Sequence, residues 1–409
     1  MKRKCFLDNS KAKNFHHENL DMFLFGKKKL MYGICKKCGL IYQTDTVTPT
    51  QMKNYYDTSI VAFDNFYKPT EDKIKSVNRH INIIKDEIKT FPTSVLEISC
   101  LNSYVLKLFK KNGAKIIEGL EPSKIVAQSL RKKENLKIHN TTIEKFKFRK
   151  KYDLIILTHV LEHLYNPLLA LKKCFNSQSN NQHILLEVPL FDHIENYPNG
   201  SFMLEHLSYF SENNFLSLVE KSGYKPTFVS KTFDSTLIPF ITVVGRKILK
   251  KNIIINKHEW FKDFKGFKNL KVKNFKKRNK KNNDYLNQYK NAKDFVKWNR
   301  SLWNVIDKKI DKFDKKKPIY IYCAGFHGSQ FLYYTNVERK FKIKGFIDGS
   351  ETKKNGSLGK YRIFNPKSNE IDYKANIIIC SNYSENTIFK SLKKFRDKGM
   401  KTYKLYNHK

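Results

Sequence analysis

Short apolar runs recur along the middle of the chain, and a stretch with helical periodicity follows most of them. The clearest runs are Ser94–Ile98, 154–157 and 184–188. Strands that are apolar on both faces are typical of a parallel sheet with helices packed on each side. The alternation therefore predicts an α/β core built on a parallel sheet.

Breakers and caps set the limits of the predicted helices. Residues 71–91 repeat Ile or Val on one face and end before Pro92, residues 104–112 end before Gly113, and Ser211 is a good N-cap for a helix over 212–222. We also predict a helix directly after His159, limited by Pro167.

A second α/β pattern occupies the end of the chain. A helical segment at 284–313 precedes apolar strands at 319–322, 345–348 and 376–380. The pattern divides the chain into a small N-terminal region at 1–57, a core at 58–245, a basic linker with a long helix at 246–316, and a C-terminal α/β domain at 317–409.

Polar side chains follow the predicted core strands where each strand ends. Thr158 and His159 follow one strand, and Glu121 closes another, about 20 residues after the turn at 99–103. Ligands of open parallel sheets bind at the carboxyl ends of the strands, and an acid at this spacing accepts hydrogen bonds from a ribose. His159 and His163 have the spacing of a helical metal pair, but no third ligand lies nearby in sequence, so we expect no metal there.

The N-terminal region has half of a recognisable zinc site. Cys35 and Cys38 form a CxxCG knuckle, and Cys5 lies upstream. A structural zinc ion on Cys5, Cys35 and Cys38 is the prediction, with Asp8, His16 or His17 as the fourth ligand; a decayed site without metal is the alternative.

Charge and composition narrow the class of protein. The net charge is +41, but only ten of the 79 basic residues are Arg, which argues against a dedicated nucleic-acid binder. We find no apolar run long enough to span a membrane. The seven cysteines are odd in number and irregularly spaced, which favours a reducing, cytoplasmic environment.

Four stretches carry a family resemblance: EISCLNSYVL, GLEPS, DLIILTHVLEH and LEHLSYF. They resemble the class I S-adenosylmethionine-dependent methyltransferases, which have a Rossmann-like core. With the CxxC region and a C-terminal unit that begins YIYCAGFHGS, the chain is similar to sugar C-methyltransferases of deoxysugar pathways. The resemblance implies S-adenosylmethionine as cofactor and a nucleotide-linked keto-sugar as substrate, methylated on the carbon beside its carbonyl.

The resemblance also implies roles for individual residues. His206 matches the general base and Glu205 its helper. The turn after Glu97 would hold the methionine part of the cofactor, Glu121 its ribose, and residues 142–144 its adenine. The expected cofactor contacts are Glu97, Ser99, Cys100, Asn102, Glu121, Pro122, Thr142, Ile143, Thr158 and His159.

Departures from the family pattern leave two alternatives open. Met203 stands where the family has a catalytic Tyr, and Ser99, Leu101 and Ser103 occupy a turn that is usually rich in glycine. The first alternative is O- or N-methylation of a glycan precursor. The second is a non-catalytic scaffold with a methyltransferase-like fold.

Overall fold

The computed structural model describes residues 2–22, 26–59, 71–192, 202–233, 239–248, 256–257, 284–350, 353, 356–381 and 384–406. Within these ranges the strands form three sheets, one antiparallel, one mixed and mainly parallel, and one smaller parallel sheet with an antiparallel edge. Residues 249–255 and 258–283 of the basic linker lie outside the described residues.

The first sheet combines the N-terminal region with a piece of the core. Strands β1 (Ala12–Met22), β2 (Gly26–Cys35) and β3 (Ile41–Asp45) are antiparallel neighbours, and helix α1 (Pro49–Ser59) follows them. The fourth strand, β9 (Ser208–Tyr209), comes from the LEHLSYF stretch and pairs with β3. This pairing brings the N-terminal region directly against the loop that precedes β9.

The second sheet is the predicted α/β core. Its order is β12-β10-β11-β8-β7-β4-β5-β6. The strands are β4 (Ser94–Ile98), β5 (Ile116–Leu120), β6 (Lys137–His139), β7 (Leu154–Thr158), β8 (His183–Pro189), β10 (Tyr224–Phe233), β11 (Pro239–Lys247) and β12 (Asn256–Lys257). Strands β4 to β8 pair in parallel, and β10 and β11 close the sheet in antiparallel fashion. The α/β fold class predicted from the apolar runs is confirmed.

Helices α2 (Glu71–Glu87), α3 (Tyr104–Lys111), α4 (Lys124–Glu134), α5 (Pro167–Ser177) and α6 (Glu212–Lys221) surround this sheet. The prediction about Pro167 was wrong. A short 3-10 turn, Leu161–His163, follows β7, and Pro167 begins α5, with Asn166 as the N-cap. Proline suits the first helical position because its missing N–H would have no partner there.

The third sheet has the order β15-β16-β14-β13-β17-β18. It follows the long helix α7 (Asp284–Ile310) and contains β13 (Ile319–Tyr322), β14 (Ile343–Ile347), β15 (Ser357–Leu358), β16 (Tyr361–Phe364), β17 (Asn376–Ile379) and β18 (Thr402–Lys404). Its helices are α8 (Phe326–Tyr334), α9 (Val337–Lys340), α10 (Glu385–Ser391) and α11 (Lys393–Asp397). The described helices, including the 27-residue α7, lack the continuous apolar length that a membrane crossing requires.

A buried polar cluster joins the first and third sheets. The carboxylate of Glu18 on β1 accepts hydrogen bonds from Gln330 (3.2 Å) and Tyr334 (3.0 Å) on α8. His16 lies 2.7 Å from the same carboxylate. Because Glu18 is fully buried, these donors replace the water that it loses.

Candidate active site

The turn after β4 adopts the backbone conformation that glycines usually provide. Ser99 has φ 63° and Ser103 has φ 55°, both in the left-handed region. The side chain of Cys100 is buried against Gly119, where an added Cβ would lie 2.5 Å from Cys100 Sγ. The thiol therefore packs between β4 and β5, and the backbone of Cys100 bonds to Leu120 (3.0 Å) and Ser103 (2.6 Å).

Two buried carboxylates flank this turn. Glu121 accepts hydrogen bonds from the N–H groups of Leu101 (3.2 Å) and Ser123 (2.9 Å). Burial raises the pKa of Glu121 to about 7 and the pKa of Glu97 to about 8. Glu97 Oε2 has no hydrogen-bond partner among the described residues. A cofactor with ribose hydroxyls and an amino group would supply donors to both carboxylates, so this edge of the sheet fits S-adenosylmethionine.

The residues predicted near the adenine lie in the segment after β6. Thr142 begins a tight turn, its carbonyl accepting from the N–H of Phe146 at 2.9 Å, and the side chain of Ile143 is buried in the core. Asn140, which the sequence did not single out, donates to the carbonyls of Glu121 and Pro122, both at 2.9 Å. This amide holds the ends of β5 and β6 together beside the predicted ribose acid.

His159 lies at the carboxyl end of β7 in an acidic environment. Its φ is 56°, and its ring nitrogens lie 3.4 Å from Glu187 and 3.7 Å from Glu162. Burial alone would lower the pKa of His159, but these two carboxylates raise it to about 9. Glu187 is itself held by His80 at 2.8 Å and by Arg79. The network positions His159 beside Thr158, at the edge where the methionine end of the cofactor is expected.

The predicted catalytic pair does not interact side chain to side chain. The hydroxyl of Tyr55 on α1 donates to the carboxylate of Glu205. The ring of His206 lies against that of His163 instead, with centroids 5.0 Å apart. Burial, followed by the neighbouring His163, lowers the pKa of His206 to about 3, so its imidazole is neutral at physiological pH.

The structure brings to His206 two further residues that the sequence did not connect with it, and a third residue contacts one of them. Glu162 and His163 sit on the 3-10 turn after β7, and Tyr56 of α1 lies 3.3 Å from His163 Nδ1. Groups on Glu162, His163 and His206 that can ligate a metal lie within 4.8 Å of one another. His159, the other member of the histidine pair noted in the sequence, is not part of this group.

A buried amide shapes the loop that carries these residues. Gln43 on β3 directs its Nε2 to the carbonyls of Met203, Leu204 and His206, each at 3.0 Å. Arg3 adds hydrogen bonds to the carbonyls of Leu207 (2.6 Å) and Tyr165 (2.9 Å). No sequence motif identifies Gln43 or Arg3, because these carbonyl partners lie more than 150 residues away along the chain.

A thiol cluster lies at the other end of the first sheet. Cys5, Asp8, Cys35 and Cys38 have ligand atoms within 4.8 Å of one another. Cys5 Sγ and Cys38 Sγ are 3.6 Å apart, and Cys35 Sγ is 3.2 Å from Asp8 Oδ2. Thiolates bound to one tetrahedral zinc ion at about 2.3 Å would be separated by roughly this distance. His16 bonds to Glu18 instead, so Asp8 is the better placed of the fourth ligands considered.

Comparisons with known proteins agree with this architecture. Residues 71–227 match a family model described as a methyltransferase domain. No curated protein matches the sequence significantly.

Solved structures that resemble the chain include three methyltransferases. The N-methyltransferase NodS from Bradyrhizobium japonicum WM9, with S-adenosyl-L-homocysteine, is 11% identical over 48% of this chain and 98% of its own (TM-score 0.39). The 1,6-didemethyltoxoflavin-N1-methyltransferase from Burkholderia thailandensis is 9% identical over 51% of this chain and 96% of its own (TM-score 0.39). Magnesium protoporphyrin IX methyltransferase from Synechocystis PCC 6803 is 11% identical over 49% and 100% (TM-score 0.40). The family match covers the parallel sheet whose carboxyl edge carries Glu97 and Glu121, and it shows that residues 71–227 are similar to a methyltransferase domain.

Proposed function

We propose that this protein transfers the methyl group of S-adenosylmethionine to a sugar, at the carbon beside the carbonyl of a nucleotide-linked keto-sugar. The observation that carries the proposal is the position of the LEHLSYF stretch. This stretch brings His206 to the 3-10 turn that follows β7. Strand β7 ends at Thr158, and we propose that Thr158 and the following His159 lie beside the methionine end of the cofactor.

Glu121 and Glu97 are the proposed anchors of the cofactor. Glu121 would accept hydrogen bonds from the ribose hydroxyls, and the unpartnered Oε2 of Glu97 suits the amino group of the methionine part. Ser99, Cys100 and Asn102 would contribute backbone or side-chain contacts from the turn, while Pro122, Thr142 and Ile143 would border the adenine. Bound S-adenosylmethionine supplies an electrophilic methyl group on a positively charged sulfur.

His206 is the proposed general base. A neutral imidazole takes the C–H proton beside the carbonyl, and the electron pair left on the substrate forms an enolate, the carbon nucleophile that methyl transfer requires. Glu205, held by the Tyr55 hydroxyl, is placed to contact a substrate hydroxyl. The side chain of Glu205 bonds to Tyr55 rather than to His206, so its proposed help concerns the substrate and not the orientation of the base.

Methylation of a sugar oxygen is the second candidate. The observation that favours it is Met203, which has no hydroxyl group to offer at the position of the family's Tyr. Only the backbone of Met203 forms hydrogen bonds within the described part of the chain: its carbonyl accepts from Gln43 at 3.0 Å, and its N–H donates to Tyr209 at 3.1 Å. The phenols of Tyr32 and Tyr209 contact the backbone of Met203, and those of Tyr55 and Tyr56 on α1 contact Glu205 and His163.

Product analysis separates the two candidates. The purified chain is incubated with isotope-labelled S-adenosylmethionine and a panel of nucleotide-linked keto-sugars, and NMR locates the new methyl group. A methyl group on carbon supports the enolate route, and one on oxygen or nitrogen refutes it. In D₂O without cofactor, the parent should also exchange the hydrogen beside the carbonyl for deuterium, whereas His206→Asn should not. Absence of S-adenosylmethionine binding by calorimetry would favour the scaffold alternative.

The thiol cluster supports a structural role for the N-terminal region. We propose that Cys5, Cys35 and Cys38 bind one zinc ion with Asp8 as the fourth ligand, and that the ion stabilises β2, β3 and the turn between them. We also propose that the chain divides into regions at residues 57, 245 and 316. The C-terminal α/β unit is proposed to bind the nucleotide of the sugar substrate.

A further inference from the structure

Three side chains with metal-binding groups converge beside the proposed acceptor site. Glu162 and His163 come from the turn after β7, and His206 comes from the loop before β9. Their candidate ligand atoms all lie within 4.8 Å of one another, and His163 Nε2 is 3.7 Å from Glu162 Oε1. Two ligands with metal bonds of about 2.1 Å in a tetrahedral site lie roughly 3.4 Å apart, so small adjustments would complete such a site.

The carboxylate of Glu162 is buried without a hydrogen bond from the described part of the chain, although the imidazoles of His159 and His163 lie within ion-pair distance. Glu162 is 2% exposed, and neither carboxylate oxygen has a hydrogen-bond partner among the described residues. An isolated buried carboxylate is costly unless a cation or hydrogen-bond donors compensate it. The nearest imidazole nitrogens, on His159 and His163, both lie at 3.7 Å, beyond hydrogen-bond distance.

The backbone sets the orientation of His163. Its Nδ1 lies 3.0 Å from the carbonyl oxygen of Glu205. A carbonyl only accepts hydrogen bonds, so Nδ1 carries the hydrogen, and in the neutral imidazole Nε2 then presents its lone pair on the side of Glu162. A histidine whose far nitrogen donates to a carbonyl is the usual arrangement around protein-bound metal ions.

We propose that Glu162, His163 and His206 bind one divalent transition-metal ion, and that an oxygen atom of the methyl acceptor completes its coordination. One carboxylate with two imidazoles is a donor set that such ions favour. Three protein ligands leave open coordination positions on the ion. A hydroxyl group bound there becomes more acidic, and a carbonyl group bound there becomes more strongly polarised. The identity of the acceptor rests on the proposed function, whereas the metal site does not.

The metal changes the role of His206. A coordinated imidazole has no free lone pair, so in the metal-bound protein His206 holds the ion and does not take the substrate proton. The general-base role proposed above for His206 therefore applies to the metal-free protein only.

The test is a titration of the full chain with Mn²⁺. Binding is measured as the loss of the EPR signal of the free ion. Mn²⁺ binds weakly to thiolate sites, so the Cys cluster does not interfere. Metal content is measured first, so that an ion retained from purification at this site is counted as occupancy. The variants are His163→Asn and His206→Asn, with His183→Asn, at the amino end of β8, as the matched control.

We expect one ion per chain at this site in the parent and in His183→Asn, and more than about tenfold weaker binding in the other two variants. Two results together would overturn the inference: the parent does not bind Mn²⁺, and the parent retains no ion from purification that is missing in His163→Asn. It is also overturned if His163→Asn and His206→Asn bind like the parent. Equal thermal unfolding of the parent and variants without added metal excludes misfolding as the cause. Mn²⁺ binding without methylation of any keto-sugar would refute the proposed acceptor and support the metal site. Methylation of a keto-sugar without metal binding would refute the metal site and support the proposed acceptor.

Discussion

The backbone N–H of Leu101 donates a hydrogen bond to Glu121 Oε2 over 3.2 Å. This contact joins the turn after β4 to the acid at the end of β5. The two features that the sequence suggested separately for cofactor binding are therefore one connected unit.

Glu121→Ala should weaken S-adenosylmethionine binding roughly ten- to a hundredfold. The loss of a hydrogen bond to a charged group costs about 1.5–3 kcal/mol, and each 1.4 kcal/mol is about tenfold in affinity. Calorimetric titration measures the change, with Glu134→Ala, on the surface at the end of α4, as the control. Unchanged affinity in Glu121→Ala would remove this residue from the cofactor site.

Cofactor affinity should increase as the pH rises through about 7. Burial raises the pKa of Glu121 to about 7, so this carboxyl is largely protonated below that pH and accepts hydrogen bonds less well. Glu97, whose pKa is about 8, should add a second increase at higher pH. Titrations over a pH series should therefore show that Glu121→Gln loses the lower step and keeps the upper one. The same pH profile in variant and parent would contradict the assignment.

The same raised pKa has a consequence for stability in the cofactor-free protein. An acid whose pKa is higher in the folded than in the unfolded protein favours folding while it is protonated. The contribution of Glu121 is complete below its unfolded value of 4.5 and is lost as the pH rises toward about 7. Urea unfolding at several pH values should show a smaller decline over this range in Glu121→Gln than in the parent.

His206→Asn should reduce turnover by about 10²–10⁴ while leaving cofactor affinity near the parental value. This range is typical when a general base is removed. Steady-state methyl transfer and calorimetry measure the two effects separately, and His183→Asn serves as the control. Turnover close to that of the parent would show that His206 only shapes its loop.

Gln43→Leu should lower the free energy of unfolding by about 1–3 kcal/mol. The amide is fully buried, and its loss leaves carbonyl groups of the 203–206 loop without donors. Urea unfolding checks the value against Gln128→Leu, an exposed position on α4. Equal stability of the two variants would mean that the loop is held by its other contacts.

Cys38→Ser should remove zinc and lower the thermal stability of the protein. The ion would bind Cys5, Asp8, Cys35 and Cys38, and structural zinc sites contribute directly to folding. Elemental analysis of protein purified without chelators or metal-affinity tags should find one zinc per parent chain at this cluster. Cys174→Ser, a buried thiol outside the cluster, should retain the ion. Parent protein without zinc would show that the site has decayed.

The sequence by itself determined the core of the fold. Strands β4, β7 and β8 are apolar on both faces because helices cover the sheet on each side, and this burial is visible as continuous apolar runs. The sequence also located Glu121 and the Thr158–His159 pair, because residues that follow parallel strands share one edge of the sheet.

Only the tertiary structure decided which distant residues meet. Glu162 and His163 lie next to His206 because Ser208–Tyr209 joins the N-terminal sheet, a pairing that local periodicity does not encode. Gln43 and Tyr55 reach the same loop by the same packing, and Asp8 rather than His16 faces the thiols because His16 turns to Glu18. Hydrophobic periodicity reports whether a position is buried. The partner of a buried polar group depends on how separate elements pack, and the sequence around that group does not specify this.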